Sequence, residues 1–217
     1  GDRSRLTDSR MAKMSSSAKS GGAAGLASLI ERAASDRNAG KDGLPPVERW
    51  NPHFCGDIDM EIKSDGAWFY MGTPIGRPAL VRLFSTVLRK DEDGKTYLVT
   101  PVEKLCIRIE DAPFVAVEMT RSEKDGKPSI TFRTNVGDVI TASANNPLRF
   151  VVSGEHQQLK PYVLVRGRLE ALLARSVTYE LLEHGEEADI DGKAMFVIRS
   201  EGEVFPVMEM AELERQS

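Results

Sequence analysis

Two arginines stand where the sequence predicts binding of a small anion. Arg77 and Arg168 each follow a glycine, and each precedes a stretch whose apolar spacing predicts a helix. The free N–H groups and the dipole at the start of a helix favour anions. A guanidinium adds parallel donors that suit phosphate. Surface arginines paired with carboxylates give the same pattern, so both interpretations stay open.

A second candidate pair is Arg175 and Glu103. Arg175 shares a stripe with Tyr179 beside the apolar face of its predicted helix, which predicts that Arg175 is at least half-buried. Glu103 has the inward parity of Leu105 and Ile107 in a predicted strand. Because a buried charge must be paired, we expect these two side chains either to form an ion pair or to hold a ligand anion.

The sequence predicts no metal site, no cofactor and no catalytic residue. His53, Cys55, Asp57 and Asp59 alternate along one predicted strand face, but four ligands in a row extend too far to converge on one ion. Cys55 has no orienting third group or oxyanion hole near it in the sequence. The motifs of phosphate loops, dinucleotide-binding folds, zinc proteases and serine hydrolases are absent.

The elements that would position these residues form a repeated pattern. WFYMGTPIGRPALVRLFSTVL, from Trp68 to Leu88, predicts a strand, a Gly/Pro turn and a helix. YVLVRGRLEALLARSVTYELLEHG, from Tyr162 to Gly185, predicts the same order with a longer helix. FVAVEM at 114–119 and FPVMEM at 205–210 have the same separation as Arg77 and Arg168. We therefore predict an internal duplication in which residues 54–119 superpose on 148–210, with Gly76 on Gly167.

The predicted fold class is α+β, with a duplicated unit of mostly antiparallel sheet and one main helix in each copy. Residues 1–43 are predicted to be a flexible tail with one short helix at Leu26 to Ala33. Asn145-Asn146-Pro147 is a strong loop signal. It places the first unit at 44–146 and the second unit at 147–217.

Composition limits the functional classes. The chain has 217 residues, a net charge of −4 and a pI near 5.6, which argues against a general nucleic-acid binder. No apolar run is long enough to span a bilayer. Two cysteines are too few for a disulfide framework, so we expect a cytoplasmic protein.

Several segments resemble one bacterial family. GDIDMEI, DGAWFY, YLVTPVEK followed by EDAPF, and YVLVRGRLEALLAR are similar to domain-of-unknown-function family 1285 over roughly residues 45–210. The resemblance implies a duplicated core whose second unit is superficially like pleckstrin-homology folds. It also implies a ligand site between the units, a nucleotide-like ligand and a role in signalling. On this basis we add Thr100, Lys104, Asn135 and Arg166 to the polar set.

The function expected from sequence is therefore non-enzymatic binding of a small anionic, nucleotide-like molecule between the repeated units, reported to a signalling partner. One alternative is an enzyme that acts on a phosphate-bearing molecule, with Glu103 as acid/base and Lys104 or Arg175 holding the phosphate. Another is a protein–protein adaptor that uses a sheet edge of the second unit.

Overall fold

The computed structural model describes residues 22–28, 30–32 and 43–215. The chain divides into two compact units, 1–111 and 112–217. Of the predicted flexible tail at 1–43, residues 1–21, 29 and 33–42 lie outside the described residues. The predicted short helix is present at 22–28 and 30–32 (α1), and its Leu26 and Ile30 are fully buried.

The first unit is built on one six-stranded sheet. Its other helical elements are a 3-10 helix at Val47–Arg49 and α2 at Pro78–Thr86. Its strands are β1 Phe54–Ile62, β2 Trp68–Tyr70, β3 Thr73–Pro74, β4 Leu88–Lys90, β5 Thr96–Val99 and β6 Glu103–Ile109. The strand order is β3-β2-β1-β6-β5-β4, and the central pair β1–β6 is parallel while the other pairs are antiparallel. Trp68 stacks on Phe84 of α2 in the core, with the ring centroids 6.1 Å apart.

The second unit contains two sheets. Its elements are β7 Phe114–Lys124, β8 Lys127–Thr134, β9 Val139–Thr141, β10 Leu148–Ser153, β11 Gln158–Arg166, β12 Leu169–Leu173, α3 Arg175–Glu183, β13 Glu186–Ile190, β14 Lys193–Ser200, β15 Glu203–Glu209 and α4 Met210–Arg215. The larger sheet has the order β10-β11-β12-β7-β8-β9, with β12 and β7 parallel. The smaller sheet is the antiparallel meander β13-β14-β15.

The two six-stranded sheets share one plan, which confirms the predicted α+β fold of duplicated units. Each sheet consists of two three-stranded meanders, and the first and last strands of the six lie side by side in parallel. The predicted superposition is nevertheless wrong in its register. The topological counterpart of β1–β6 is β7–β12, so FVAVEM begins the second unit instead of matching FPVMEM, which lies in the smaller sheet.

The helices also break the predicted correspondence. In the first unit α2 connects the two meanders, whereas α3 follows the last strand of the second six-stranded sheet. Residues Leu169–Leu173 are not helical but form β12, which pairs with β11 and β7. Gly167, with φ of 55°, is therefore in a hairpin turn between β11 and β12 and does not precede a helix. Pairing on both sides outweighs the helical preference of LEALL.

The division between the units lies after Asp111, earlier than the predicted boundary between 146 and 147. The loop containing Asn145 and Asn146 connects β9 to β10 within one sheet. Asn146 closes this loop, because its side-chain amide donates to the carbonyl oxygens of Leu164 and Val165 at 2.9 and 3.2 Å. The loop signal was correct, but it marks a connection inside a unit. No helix of the described residues has the length and apolar content needed to cross a membrane.

Candidate functional site

The nine predicted site residues fall into separate groups within each unit. In the first unit, Thr100, Glu103 and Lys104 lie together at the β5–β6 turn, and Arg77 lies at the start of α2. In the second unit, Asn135 and Arg166 approach the start of β7, Arg168 is in the β11–β12 turn, and Arg175 and Tyr179 lie on α3.

The β5–β6 turn holds a buried carboxylate. Glu103 begins β6, and it alternates with buried Leu105 and Ile107 as predicted; only 4% of its surface is exposed. The backbone N–H of Glu103 donates to Oγ1 of Thr100 at 3.2 Å, and the N–H of Thr100 donates to the carbonyl of Glu103 at 2.8 Å. These bonds close a tight turn, so Thr100 has a structural role here.

Lys104 points to the other face of the same sheet. Its ammonium donates to Oδ2 of Asp91 at 2.9 Å and lies 4.5 Å from the centroid of the Tyr97 ring. The hydrogen bond to Asp91 raises the pKa of Lys104. Tyr97 in turn donates its hydroxyl to Asp93 at 2.5 Å. Lys104 is therefore a charged, partnered group in a largely buried network.

Arg89, which sequence reasoning missed, makes several buried contacts in this unit. The sequence predicts a helix up to Leu88, but α2 ends at Thr86 and the chain turns back into β4, where Arg89 is only 9% exposed. Its guanidinium donates to the carbonyls of Val47 and Trp50 at 2.6 and 2.7 Å. It also forms an ion pair with Asp91 at 2.7 Å. Arg89 thus fastens the 3-10 helix and the segment after it to the sheet.

Asn135 and Arg166 meet around the first residues of β7. Oδ1 of Asn135 accepts the N–H of Val115 at 3.0 Å. Arg166 lies over the Phe114 ring at 5.1 Å and pairs with Asp138 at 3.1 Å. The structure therefore brings these two predicted residues together, as the polar surroundings of a strand start. Arg168 is exposed in the adjacent hairpin turn instead of beginning a helix.

The arginine at the start of the second main helix is Arg175. It is the first residue of α3 and is exposed, so the predicted burial is wrong. Its Nε donates to the hydroxyl of Tyr179 at 3.1 Å, and this bond raises the pKa of Arg175. The expected pairing of Arg175 with Glu103 would join the two units and stays a prediction; among the described residues of the second unit, no carboxylate pairs with Arg175. The shorter helix explains the error, because β12 takes the residues that were expected to cover this side chain.

Arg77 lies one residue before α2, whereas Arg175 is the first residue of α3. It is the N-cap residue, it is exposed, and its side chain makes no capping hydrogen bond. Neither α2 nor α3 has an acidic residue in its first turn. Within the described ranges, Arg77 has no ion pair either.

Metal and thiol chemistry find little support. In the residues that the structure describes, no group of three His, Cys, Asp or Glu side chains could hold a metal ion. Cys55 and Cys106 are both free thiols on the polar face of the first sheet, where Asp57 is aligned with Cys106. Burial, helped by the charge of Asp57, raises the pKa of Cys106. A raised pKa disfavours the thiolate that a nucleophile requires.

Comparison with known proteins gives the family. Residues 45–112 match "Domain of unknown function (DUF1285), N-terminal domain", and residues 113–207 match "Protein of unknown function (DUF1285), C-terminal domain". The chain belongs to the DUF1285 family. The division between these two DUF1285 domains coincides with the division of the structure into units to within a residue.

Solved structures of DUF1285 proteins are similar to this chain. One, from Silicibacter pomeroyi DSS-3, is 45% identical, with a TM-score of 0.76, over 89% of this chain and 98% of its own. A second, from Shewanella baltica OS155, is 24% identical, with a TM-score of 0.46, over 57% of this chain and 90% of its own. No curated protein matches the chain.

The Arg89–Asp91–Lys104 cluster of this DUF1285 protein predicts acid sensitivity. Burial opposes ionisation of Asp91, but hydrogen bonds from Arg89 and Lys104 outweigh it and lower the pKa of Asp91. A pKa lowered by folding contributes stability above the unfolded value, near 4, and this contribution is lost as the pH falls through the folded value. We expect Asp91→Asn to be less stable than wild type near neutral pH, with a difference that shrinks below about pH 4.

Urea unfolding of both proteins from about pH 7 to about pH 3 measures this difference. Asp57→Asn, at an exposed carboxylate outside the cluster, is the control and should change stability little at either end. A difference for Asp91→Asn that is constant with pH would contradict the assigned role of the carboxylate.

Proposed function

We propose that this protein is a non-enzymatic binding protein for a small anion, with a phosphate-bearing, nucleotide-like molecule as the ligand class, and that it reports binding to a partner protein. The observation that supports this proposal is shared by α2 and α3. An exposed arginine caps the start of α2 and another is the first residue of α3; neither has a carboxylate partner among the described residues of its own unit, and neither helix has an acidic first turn.

The chemistry at α3 is the more complete of the two. The first N–H groups of the helix have no partner within it, and exposed Ser176, the next residue of α3, adds a hydroxyl in the same turn. Tyr179, 56% exposed, presents a ring that is held by its hydrogen bond to Arg175. These groups favour a ligand whose phosphate lies at the start of α3 and whose nucleobase stacks on the Tyr179 ring. The expected position of the ligand between the two units stays a prediction.

The enzymatic alternative has less support. An acid/base group has to come within hydrogen-bond reach of its substrate, but the side chain of Glu103 faces the core of its unit. Lys104, the group expected to hold a phosphate in that alternative, is engaged with Asp91. Both residues are better explained by the stability of the first unit.

A thermal-shift titration with a mononucleotide tests the proposal. Ligand binding to the folded state raises the melting temperature with concentration, and at 100 times Kd it contributes about 2.7 kcal/mol. We expect Arg175→Ala and Arg77→Ala to reduce this shift strongly. Because both side chains are exposed, each substitution alone should cost less than about 1 kcal/mol of stability.

Arg82→Ala is the matched control, since Arg82 is an exposed arginine of α2 beyond its first turn. It changes the net charge equally and should leave the shift unchanged. Equal shifts in all four proteins would place the anion elsewhere. The absence of any shift in wild type, with mononucleotides and with inorganic phosphate, would contradict anion binding.

A further inference from the structure

The smaller sheet of the second unit has one open edge. β13 pairs with β14, and no other strand of the described residues pairs with its second side. It is a regular five-residue strand without proline, and Glu186, Glu187 and Asp189 are exposed. The opposite edge is different, because β15 contains Pro206 and packs against β10 and α4.

The turn that follows β13 determines which backbone groups are available. Asp191 and Gly192 have φ of 52° and 83°, so the β13–β14 connection is a two-residue hairpin turn. Such a turn is closed by a hydrogen-bonded pair, here Ile190 with Lys193. Since hydrogen-bonded and non-bonded pairs alternate along an antiparallel ladder, the N–H and C=O groups of Glu187 and Asp189 point away from β14. They are the groups that an added strand would engage.

The negative charge around the β13 edge favours a basic partner segment. Between residues 180 and 215 there are eleven acidic and three basic side chains, although the whole chain has a net charge of only −4. Glu186 is paired with Arg199, and Asp189 accepts the N–H of Gly192 at 2.9 Å. Glu187 has no ion pair or hydrogen bond within the described residues, so it is available to a cation. A second copy of the strand would place like charges opposite one another, which is unfavourable.

We propose that β13 is a docking edge for an extended, basic segment of a partner protein, which adds as a fourth strand to the smaller sheet. The backbone of the segment pairs with Glu187 and Asp189. A lysine or arginine of the segment lies opposite Glu187 on the same face. This inference is independent of the anion site, because it uses neither α2 nor the start of α3.

Binding of a synthetic peptide to the full chain tests the edge. The probe is a fluorescent octapeptide of alternating Val and Lys, compared by fluorescence anisotropy with a Val/Glu peptide of the same length. We expect the Val/Lys peptide to bind and the Val/Glu peptide not to bind. Glu187→Pro removes an outward N–H without removing a bond to β14, and it should weaken binding about tenfold or more. Glu187→Gln keeps the N–H but removes the charge, and it should weaken peptide binding about threefold.

Two controls separate strand addition from general attraction. Glu212→Gln removes one charge from exposed α4 and should change the affinity less than twofold. A Val/Lys peptide that is N-methylated at alternate residues keeps its charge but cannot pair with the edge, and wild-type protein should bind it at least tenfold more weakly. This comparison uses wild-type protein, so it tests the proposal even if the Glu187→Pro variant fails to fold. The proposal would be overturned if the methylated and unmethylated peptides bound equally, or if the Val/Lys peptide did not bind. It would also be overturned if spermidine displaced the labelled Val/Lys peptide as well as the unlabelled peptide does.

Discussion

Arg89→Met is expected to lower the free energy of unfolding by about 3–5 kcal/mol, because two carbonyl groups lose a charged donor and Asp91 keeps only Lys104 as a partner. The guanidinium holds two backbone carbonyls, those of Val47 and Trp50, and the carboxylate of Asp91. Its side chain is 11% exposed and that of Asp91 18%, so water replaces few of these bonds. Methionine keeps most of the volume but none of the donors.

Arg108→Met is the control for this prediction. Arg108 also contacts two carboxylates of the same sheet, Asp59 and Glu61, but its side chain is 58% exposed. An exposed pair contributes little, so the loss should stay below about 1 kcal/mol. Urea unfolding of the three proteins gives the comparison. Similar losses for both variants would mean that burial does not strengthen the Arg89 contacts.

Gly185→Ala is expected to cost about 3 kcal/mol, at the upper end of the range for overpacking. Gly185 joins α3 to β13, and a Cβ atom there would lie 1.9 Å from Cζ of Phe196. A real Cβ never approaches a ring so closely, and the ring is half-buried in β14. Either Phe196 leaves its position or the end of α3 moves away from the smaller sheet. Gly185 is not among the glycines with positive φ, so the cost comes from overlap and not from the backbone torsion.

A double substitution and a second glycine test this explanation. Gly185→Ala combined with Phe196→Leu should be more stable than the two separate losses predict, because the smaller side chain makes room. Gly76→Ala has open space around the new atom and no positive φ, so it should be neutral or stabilise by up to about 1 kcal/mol. Additive losses in the double variant would show that the ring is not the obstacle.

The features that the sequence predicted correctly are those that depend on residues close to one another in the chain. A helix follows the Gly/Pro turn after Trp68, a loop lies at Asn145 and Asn146, and Glu103 faces inward with Leu105. Each of these depends on neighbours within a few residues: a fixed proline φ, residues that favour turns, and the alternation of a strand. The fold class and the presence of a duplication followed from the sum of such signals.

The errors occurred where distant pairing decides the outcome. Leu169–Leu173 suit a helix by composition, but β7, more than fifty residues earlier, supplies a parallel partner and makes the segment a strand. That change moved Arg175 from a predicted buried position to an exposed helix start. It also replaced Arg168 by Arg175 as the helix-entry arginine. Arg89 was missed for a related reason, since its partners at Val47 and Trp50 are distant in sequence.

The parallel pair at the centre of each six-stranded sheet has a consequence for biosynthesis. β1 can pair with β6, and β7 with β12, only after the whole intervening segment has left the ribosome. The two antiparallel meanders of a unit can form early from local contacts, but joining them requires the closure of a long loop. Such high contact order slows folding, and until then β1 and β7 expose unpaired edges to other nascent chains. Each unit is therefore expected to complete its folding late, as its sixth strand arrives, and the first unit to do so before the second is synthesised.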